Sequence, residues 1–547
     1  MPGLRLSLIL GSLLFFLQSC GGGPQGAQPS WRKRAQPDSE ARTPSNVKLS
    51  HAAPEYNSLS REQVPDNALI REILKSVEAA SVAANTKPPV PDARLFAALG
   101  DLAAISPKGG PIPYTFIEFA LHRRGIIEPS PNLLIIEGDI DSPESIAEGL
   151  TERLSEMLSA GRFARVGIGT RRGSDTDLIL LAFQESHLTT RPIARELPRG
   201  GSAGIEGVLA PSFSEPHVWH TGADGQVTRL SVSLIGAKGF RALFSCEQET
   251  GRQQLEITAE DASGSTVLAN FPVWCDERAP TAVPSIGPSS DPPPKSREEA
   301  EERMFKMVNQ DRAKHGLPAL KLDRRLVSVG RKHSDEMLET GHVAHVSPRT
   351  GSAGDRVKAG DVRTAVVLEN VARAYGVGEA QLGLMNSPGH RANLLSTDVS
   401  HVGIGISLGE EVAGRRELLV TQVFILIPRP IDPRKVKRQV VAKIQAVKAM
   451  GESGALTQVA QQFANSIASG MPTEEASAIA SKSLDANVGN FTRVSTLVTT
   501  VSSISSFEPA DSLKGDKISY FGLGVAQGNH PVMGDGAIYL VILLGQR

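Results

Sequence analysis

NSPGHRANLL, residues 386–395, is followed five residues later by HVGIGISLG, residues 401–409. The first stretch is a small-residue turn, Ser387-Pro388-Gly389, that delivers His390 and then Arg391, Asn393 and two leucines. The second alternates apolar residues with Gly403 and Gly405. It pairs by pattern with ELLVTQVFILI, residues 417–427, as a hairpin-like couple of strands. A turn that fixes a histidine just ahead of such a hairpin raises the question of what the histidine faces.

Reading backwards, a helix begins at Ser296. Ser296-x-x-Glu299 fits a capping box, Met304, Met307, Val308 and Asp311 follow at helical spacing, and Gly316 stops the run. A second helix is predicted over about 324–340. Residues 297–428 therefore read as one α/β unit.

The hairpin pattern recurs. RVGIGTRRG…LILLAF lies at 165–183 and FGLGVAQGN…AIYLVILLG at 521–545, each a Gly-x-Gly strand, a short loop and an apolar strand. A helical region precedes each: Ile70, Ile73, Leu74 and Val77 form one stripe. Before the last copy Asp432 caps, Pro433 takes the first turn, and Val436, Val440, Ile444 and Val447 form another. Three related α/β units are expected, at 66–190, 297–428 and 429–547; the alternative is unrelated units that share a common hairpin type.

Residues 191–276 have a different character. VTRLSVSLI, GFRALFSCEQ, QQLEITAED and TVLANFPVW read as strands separated by Gly, Asp and Ser, the signature of a small β-sandwich. Phe240, Ala242, Phe244 and Cys246 alternate along one strand, and Val267, Ala269, Phe271, Val273 and Cys275 along another, which places both cysteines on buried faces. A disulfide across the core is expected, with two buried free thiols as the alternative. A Pro/Ser-rich linker, 277–296, follows.

Length, 547 residues, is enough for three or four domains. Lys+Arg 58 against Asp+Glu 59, with no concentrated basic run, excludes the usual footprint of a nucleic-acid partner. At the N-terminus Arg5 precedes an apolar run too short to span a bilayer, ending in Leu17-Gln18-Ser19-Cys20. Leu-x-Ser-Cys after such a core resembles a bacterial lipobox. By that resemblance residues 1–19 are a lipoprotein signal peptide, Cys20 bears the lipid, and 20–65 is a flexible tether. Gly21 in place of Asp resembles lipoproteins not retained at the inner membrane, so the expectation is an extracytoplasmic protein anchored to the bacterial envelope, at the outer membrane.

Six of the 12 histidines fall between 315 and 401. VNQDRAKHGLPALKLD (308–323), GHVAHVSP (341–348), LENVA (368–372), NSPGHRANLL and HVGIGI together resemble the CAP superfamily of cysteine-rich secretory, antigen 5 and pathogenesis-related class 1 proteins, in its bacterial secreted form. The resemblance implies a CAP-type α-β-α sandwich flanked by two degenerate CAP-like units and the β-sandwich. It also implies a shallow cleft lined by two His and two Glu. His345, Glu369 and His390 match three of these four positions; Leu368 replaces the Gly before the Glu. At the fourth, LMNS stands where Trp-x-x-Glu would, with Leu384 for the Trp and Ser387 for the Glu. Asn370 and Asn393 are candidates to support the cleft. Counting back 13 residues from Gly522 and Gly167, as from Gly403 to His390, gives Pro509 and Leu154, so the flanking units lack the site.

Two imidazoles and a carboxylate can hold zinc with water in an open position, so zinc is the one cofactor His345, His390 and Glu369 suggest. The alternative is a metal-free network in which the histidines bond Glu369. No nucleophile motif appears, which favours a surface-anchored protein that binds a small apolar ligand or a cell-envelope component. The competing expectations are a zinc-assisted hydrolase of peptide or cell-wall material, with Glu369 as general base, and adhesion through the β-sandwich.

Overall fold

The computed structural model describes residues 5–9, 49, 52–58, 62–107, 112–247, 250–282, 292–412, 415–427, 430–487, 491–509 and 518–546. Cys20, most of the leader and tether, and residues 283–291 of the Pro-rich linker lie outside them.

Three four-stranded sheets share one plan. In the CAP-like middle unit Lys321–Leu322 runs parallel to His401–Val412, which pairs antiparallel with Arg415–Ile425, which pairs antiparallel with Val367–Ala374. The same order appears in Val90–Pro91, Arg165–Arg171, Asp177–Gln184, Asn132–Gly138, and in Gly451–Glu452, Tyr520–His530, Gly534–Gln546, Arg493–Val501. Arg5–Ile9 adds a fifth strand against Asn132–Gly138.

The recurring Gly-x-Gly has a steric cause. In each sheet one helix lies directly on the glycine-bearing strand. A Cβ on Gly169 would sit 2.2 Å from the backbone of Leu99, one on Gly405 2.0 Å from Arg331 N, and one on Gly524 2.0 Å from Ala460 O. Only glycine allows that approach. The three helices, Ala93–Ile105, Arg324–Thr340 and Gly454–Ala468, start alike: Asp92, Asp323 and Ser453, each just past the short parallel strand, accept backbone N–H bonds from the first turn.

In the middle unit the alternation of the hairpin feeds two cores. Val402, Ile404, Ile406, Leu418, Val420 and Phe424 pack against Met304 and Val308 of the helix Arg297–Lys314 and Leu384 of Val377–Asn386. Val423 and Ile425 pack the other way, on Leu326 and Val329. Helices thus cover both faces of the sheet.

The β-domain has two sheets. One contains Leu188–Thr190, Ser202–Leu209, Val232–Ile235 and Gly239–Ser245; the other contains Glu196–Leu197, Ser214–Thr221, Val227–Leu230, Gly251–Asp261 and Gly264–Cys275. Their inner faces share one core. Cys246 and Cys275 form a disulfide, Cα atoms 5.5 Å apart, that joins the two sheets.

Two expectations shift. VTRLSVSLI is not one strand: Val227–Leu230 joins one sheet and Val232–Ile235 the other, so the chain changes sheets at Ser231. Along Gly264–Cys275 a register shift opposite Ile257/Thr258 breaks the alternation, so Leu268 is buried and Val267 only half-buried. The tether also ends sooner than its composition suggests. Glu55–Tyr56 pairs with Ile193–Ala194, and the Tyr56 ring is fully buried in the β-domain core, its hydroxyl donating to Pro272 O at 2.7 Å.

Candidate functional site

The site forms where the loop after one helix meets an edge strand. Gly341, at φ +67°, ends the helix Arg324–Thr340 in a left-handed turn that a side chain would strain. The loop then brings His345 to Glu369 on the strand Val367–Ala374, with Nδ1 3.0 Å from Glu369 Oε1. Arg356, buried on the short helix Ala353–Ala359, donates to Glu369 Oε2 at 2.5 Å and to the carbonyl of His345 at 3.1 Å. Burial pushes the Glu369 carboxyl up, but the His345 hydrogen bond and the Arg356 charge outweigh it and hold it below the usual range.

His390 sits on the helix Pro388–Leu394, its ring centroid 6.2 Å from that of His345 and the planes 31° apart. It does not reach Glu369. Its Nδ1 lies 2.7 Å from Ser387 Oγ. Burial, reinforced by His345, lowers its pKa to about 3, so this imidazole is neutral.

A chain of amides, buried from Asn370 inward, runs beside the histidines. Asn393 Nδ2 donates to Glu369 O and Asn370 Oδ1, both at 3.0 Å. Asn370 Nδ2 donates to His390 O at 3.2 Å and Gln422 Oε1 at 3.1 Å. Gln422 donates to Gln381 Oε1 at 3.3 Å, and Gln381 to Asp311 Oδ2 at 2.9 Å. This ladder fixes the turn 387–393 against the sheet. It gives Asn370 and Asn393 the supporting place suggested by the sequence.

The turn that carries His390 is covered from the β-domain. Glu256, on the strand Gly251–Asp261, is fully buried against the turn. Gly389 N–H donates to its Oε1 at 2.9 Å, and Ser387 Oγ bonds its Oε2. Burial pushes its pKa up to about 7 against the lowering effect of those two bonds. Around it, His345 N–H and Val346 N–H both donate to Ser263 O, at 3.1 and 2.9 Å, and Asn270 Nδ2 donates to Asn386 O at 3.3 Å. Arg391 Nε donates to Gly225 O at 3.1 Å. The strand Gly251–Asp261 is buried on both sides for this reason: Leu255, Ile257 and Ala259 face the β-domain core, while Glu256 faces the turn.

The proton arrangement follows from donor counting. A serine hydroxyl has one proton. When Glu256 is ionised, Ser387 donates to it and His390 Nδ1–H donates to Ser387. When Glu256 is protonated, it donates to Ser387, and Ser387 donates to His390 Nδ1. Both states keep every bond. The pairing of Ser387 with His390 goes beyond what their closeness in sequence implied. The hydroxyl is buried between Glu256 and His390.

Both Glu369 oxygens are committed, to His345 and Arg356, so as arranged Glu369 does not offer zinc a third ligand beside the two imidazoles, each of which is engaged through Nδ1. Among the described residues no three His, Cys, Asp or Glu side chains converge on a point that could hold a metal ion. The other histidines of the unit have partners of their own: His333 Nε2 lies 2.8 Å from Ala344 O, His342 Nε2 3.1 Å from Ser263 Oγ of the β-domain, His401 Nδ1 2.9 Å from Ser400 Oγ, and His315 Nε2 2.7 Å from Arg391. Sequence reasoning missed Arg356, Gln422 and Glu256. Glu256 gives no local signal, since a glutamate on the polar face of an alternating strand reads as solvent-facing.

Comparison with known proteins agrees with the fold of the middle unit. Residues 305–424 match the CAP model, described as the cysteine-rich secretory protein family; this segment is a CAP domain. The chain is 38% identical over 108 residues to the uncharacterized membrane protein YlbC of Bacillus subtilis, covering 20% of this chain and 31% of that one. It is 29% identical over 159 residues to the uncharacterized protein YkwD of the same organism, covering 29% and 58%. The chain thus spans about a third and somewhat over half of these relatives. Among solved structures, an outer surface protein from Borrelia burgdorferi aligns at 19% identity and TM-score 0.22, over 24% of this chain and 96% of that one. An extracellular SCP-domain protein from Bacillus anthracis aligns at 20% and 0.21, over 41% and 82%. Among the described residues no helix is long and apolar enough to cross a membrane.

Proposed function

We propose that this CAP-domain protein is an extracytoplasmic binding protein, held at the bacterial envelope through lipid on Cys20, whose CAP cleft is the ligand seat. The flanking units, 66–190 and 429–547, are degenerate copies that act as scaffold, and the β-sandwich, 191–276, is the cleft's second wall. The observation that supports this reading is the seating of a buried carboxyl group on Ser387 and Gly389 beside two histidines. Such an arrangement receives a ligand; it does not present a reactive group. The ligand is a cell-envelope component or a small molecule. No observation favours a zinc-assisted hydrolase over this reading.

The test is co-sedimentation with purified envelope fragments. The full chain carrying Cys20→Ser, and so free of lipid, is compared with the same chain carrying His345→Ala and His390→Ala, after thermal melts show both folded. Sedimentation that the double substitution abolishes and chelator leaves unchanged is expected. Equal sedimentation of both chains would overturn the cleft as the seat.

A further inference from the structure

The β-domain presents to the CAP cleft one buried acidic side chain, and the cleft answers it with two donors. Ser387 and the Gly389 N–H take both oxygens of Glu256, and Ser387 is backed by His390. Further hydrogen bonds join the two domains around this point: Ser263 with His345 and Val346, Asn270 with Asn386, and Gly225 with Arg391. Polar interfaces inside one chain resemble transient protein–protein contacts, and relative motion across them is the default expectation. Each domain has its own core: the β-domain core is apolar and stapled by Cys246–Cys275, and the CAP sheet is packed on both faces.

We propose that the Ser387–Gly389 turn is a carboxyl-receiving site, that Glu256 is its built-in occupant, and that an extended peptide presenting a glutamate binds there by displacing the β-sandwich. The built-in occupant defines the ligand class. It is a β-strand that offers Glu256 from its polar face, while the neighbouring turn hydrogen-bonds the backbone of His345 and Val346 through Ser263 O. A displacing ligand must reproduce the first feature, a carboxyl group on an extended backbone, and compete with an occupant at high effective concentration. The inference rests on the reading of the cleft as a ligand seat.

The probe is a fluorescent peptide with the sequence of residues 251–261, GRQQLEITAED, titrated by anisotropy against the full chain. Wild type binds weakly, because Glu256 holds the site. Glu256→Ala vacates it and binds at least about tenfold tighter, the scale of one hydrogen-bonded charged contact. The same peptide with alanine for its central glutamate binds Glu256→Ala at least about tenfold more weakly, by the same scale. Adding Ser387→Ala to Glu256→Ala removes the gain. Ser387→Ala alone, which keeps the β-domain strand intact, does not bind the peptide. Equal affinity of Glu256→Ala and wild type, or binding that survives Ser387→Ala or loss of the peptide's glutamate, would overturn the proposal. If Glu256→Ala takes no peptide but still sediments with envelopes through His345 and His390, the carboxyl class falls and the ligand seat stands. If both fail, both readings fall.

Discussion

The CAP domain and the first α/β unit make a controlled comparison. Both have the same four-stranded order, the same glycine pair under a helix, and the same aspartate cap at the helix start. Register then identifies matching positions. Glu369 and Gly403 flank Val423 across the sheet; Leu133 and Gly167 flank Ala182 in the same way. Where the CAP domain has Glu369 bonded to His345 and Arg356, the first unit has a buried leucine. Thirteen residues before the glycine, His390 is matched by Leu154, fully buried in a helix core. The third unit has Thr496 and Pro509 at these places. One framework thus carries either a polar network or an apolar core. The polar version requires a ladder of amides and a second domain to cover it.

The comparison can be broken first at its centre. Glu369→Ala strands the buried Arg356 guanidinium and should cost the CAP domain about 3–5 kcal/mol, the usual cost of removing one partner of a buried pair. Differential scanning calorimetry should show this as a lowered transition, with His345 also released. A smaller loss, near about 1 kcal/mol, the range of exposed pairs, would mean that the network is not buried as described.

Reduction of Cys246–Cys275 tests the other wall. The two cysteines are 29 residues apart in sequence, so loss of the bond should cost the β-domain about 3–4 kcal/mol in the chain-entropy model. Thermal melts with and without reductant should show it, and the isolated effect should leave Glu369→Ala unchanged in size.

Glu256 sharpens the comparison through pH. Its folded pKa, about 7, lies above its ordinary 4.5, so the folded chain keeps a proton that the unfolded chain has released. Stability from this group is therefore full below pH 4.5 and falls as pH rises to 7, by at most about 3 kcal/mol. His390 works in the opposite sense, losing stability as pH falls from 6.5 towards 3, but it is common to both chains compared. Glu256→Gln keeps hydrogen bonding without titration. The difference between wild type and this variant, followed by urea unfolding from about pH 4 to 8, should fall across that window. A flat difference would contradict a buried carboxyl.

The smallest effect tests the shared framework. Gly405→Ala and Gly169→Ala each force a Cβ into helix backbone and should each destabilise their own unit by about 1–3 kcal/mol. Similar losses in both would support common packing; a neutral outcome in one would separate the units.

Much of this was legible in the residues. The motifs around His345, Glu369 and His390 identify the CAP domain because turn, strand and hairpin follow in fixed order. The glycine pairs announce the related sheets because steric exclusion leaves glycine no substitute. Alternation placed Cys246 and Cys275 inward. What stayed hidden depends on contacts between distant segments. Glu256 is 131 residues from Ser387, and a strand's polar face looks the same whether water or another domain covers it. Tyr56 lies in a segment of linker-like composition, yet one buried ring anchors it. Leu268 is buried because of a bulge, which the alternation of the strand does not foretell.

The β-domain covers the CAP turn Ser387–Gly389 by seating Glu256 on it. Hydrogen exchange of the full chain, read by mass spectrometry on peptides covering 343–347 and 386–395, tests it most directly. The account predicts slow exchange in wild type, faster exchange of both peptides in Glu256→Ala, and no change in the hairpin 520–546. Wild-type exchange at both peptides as fast as in an exposed loop, or no change on substitution, would contradict it.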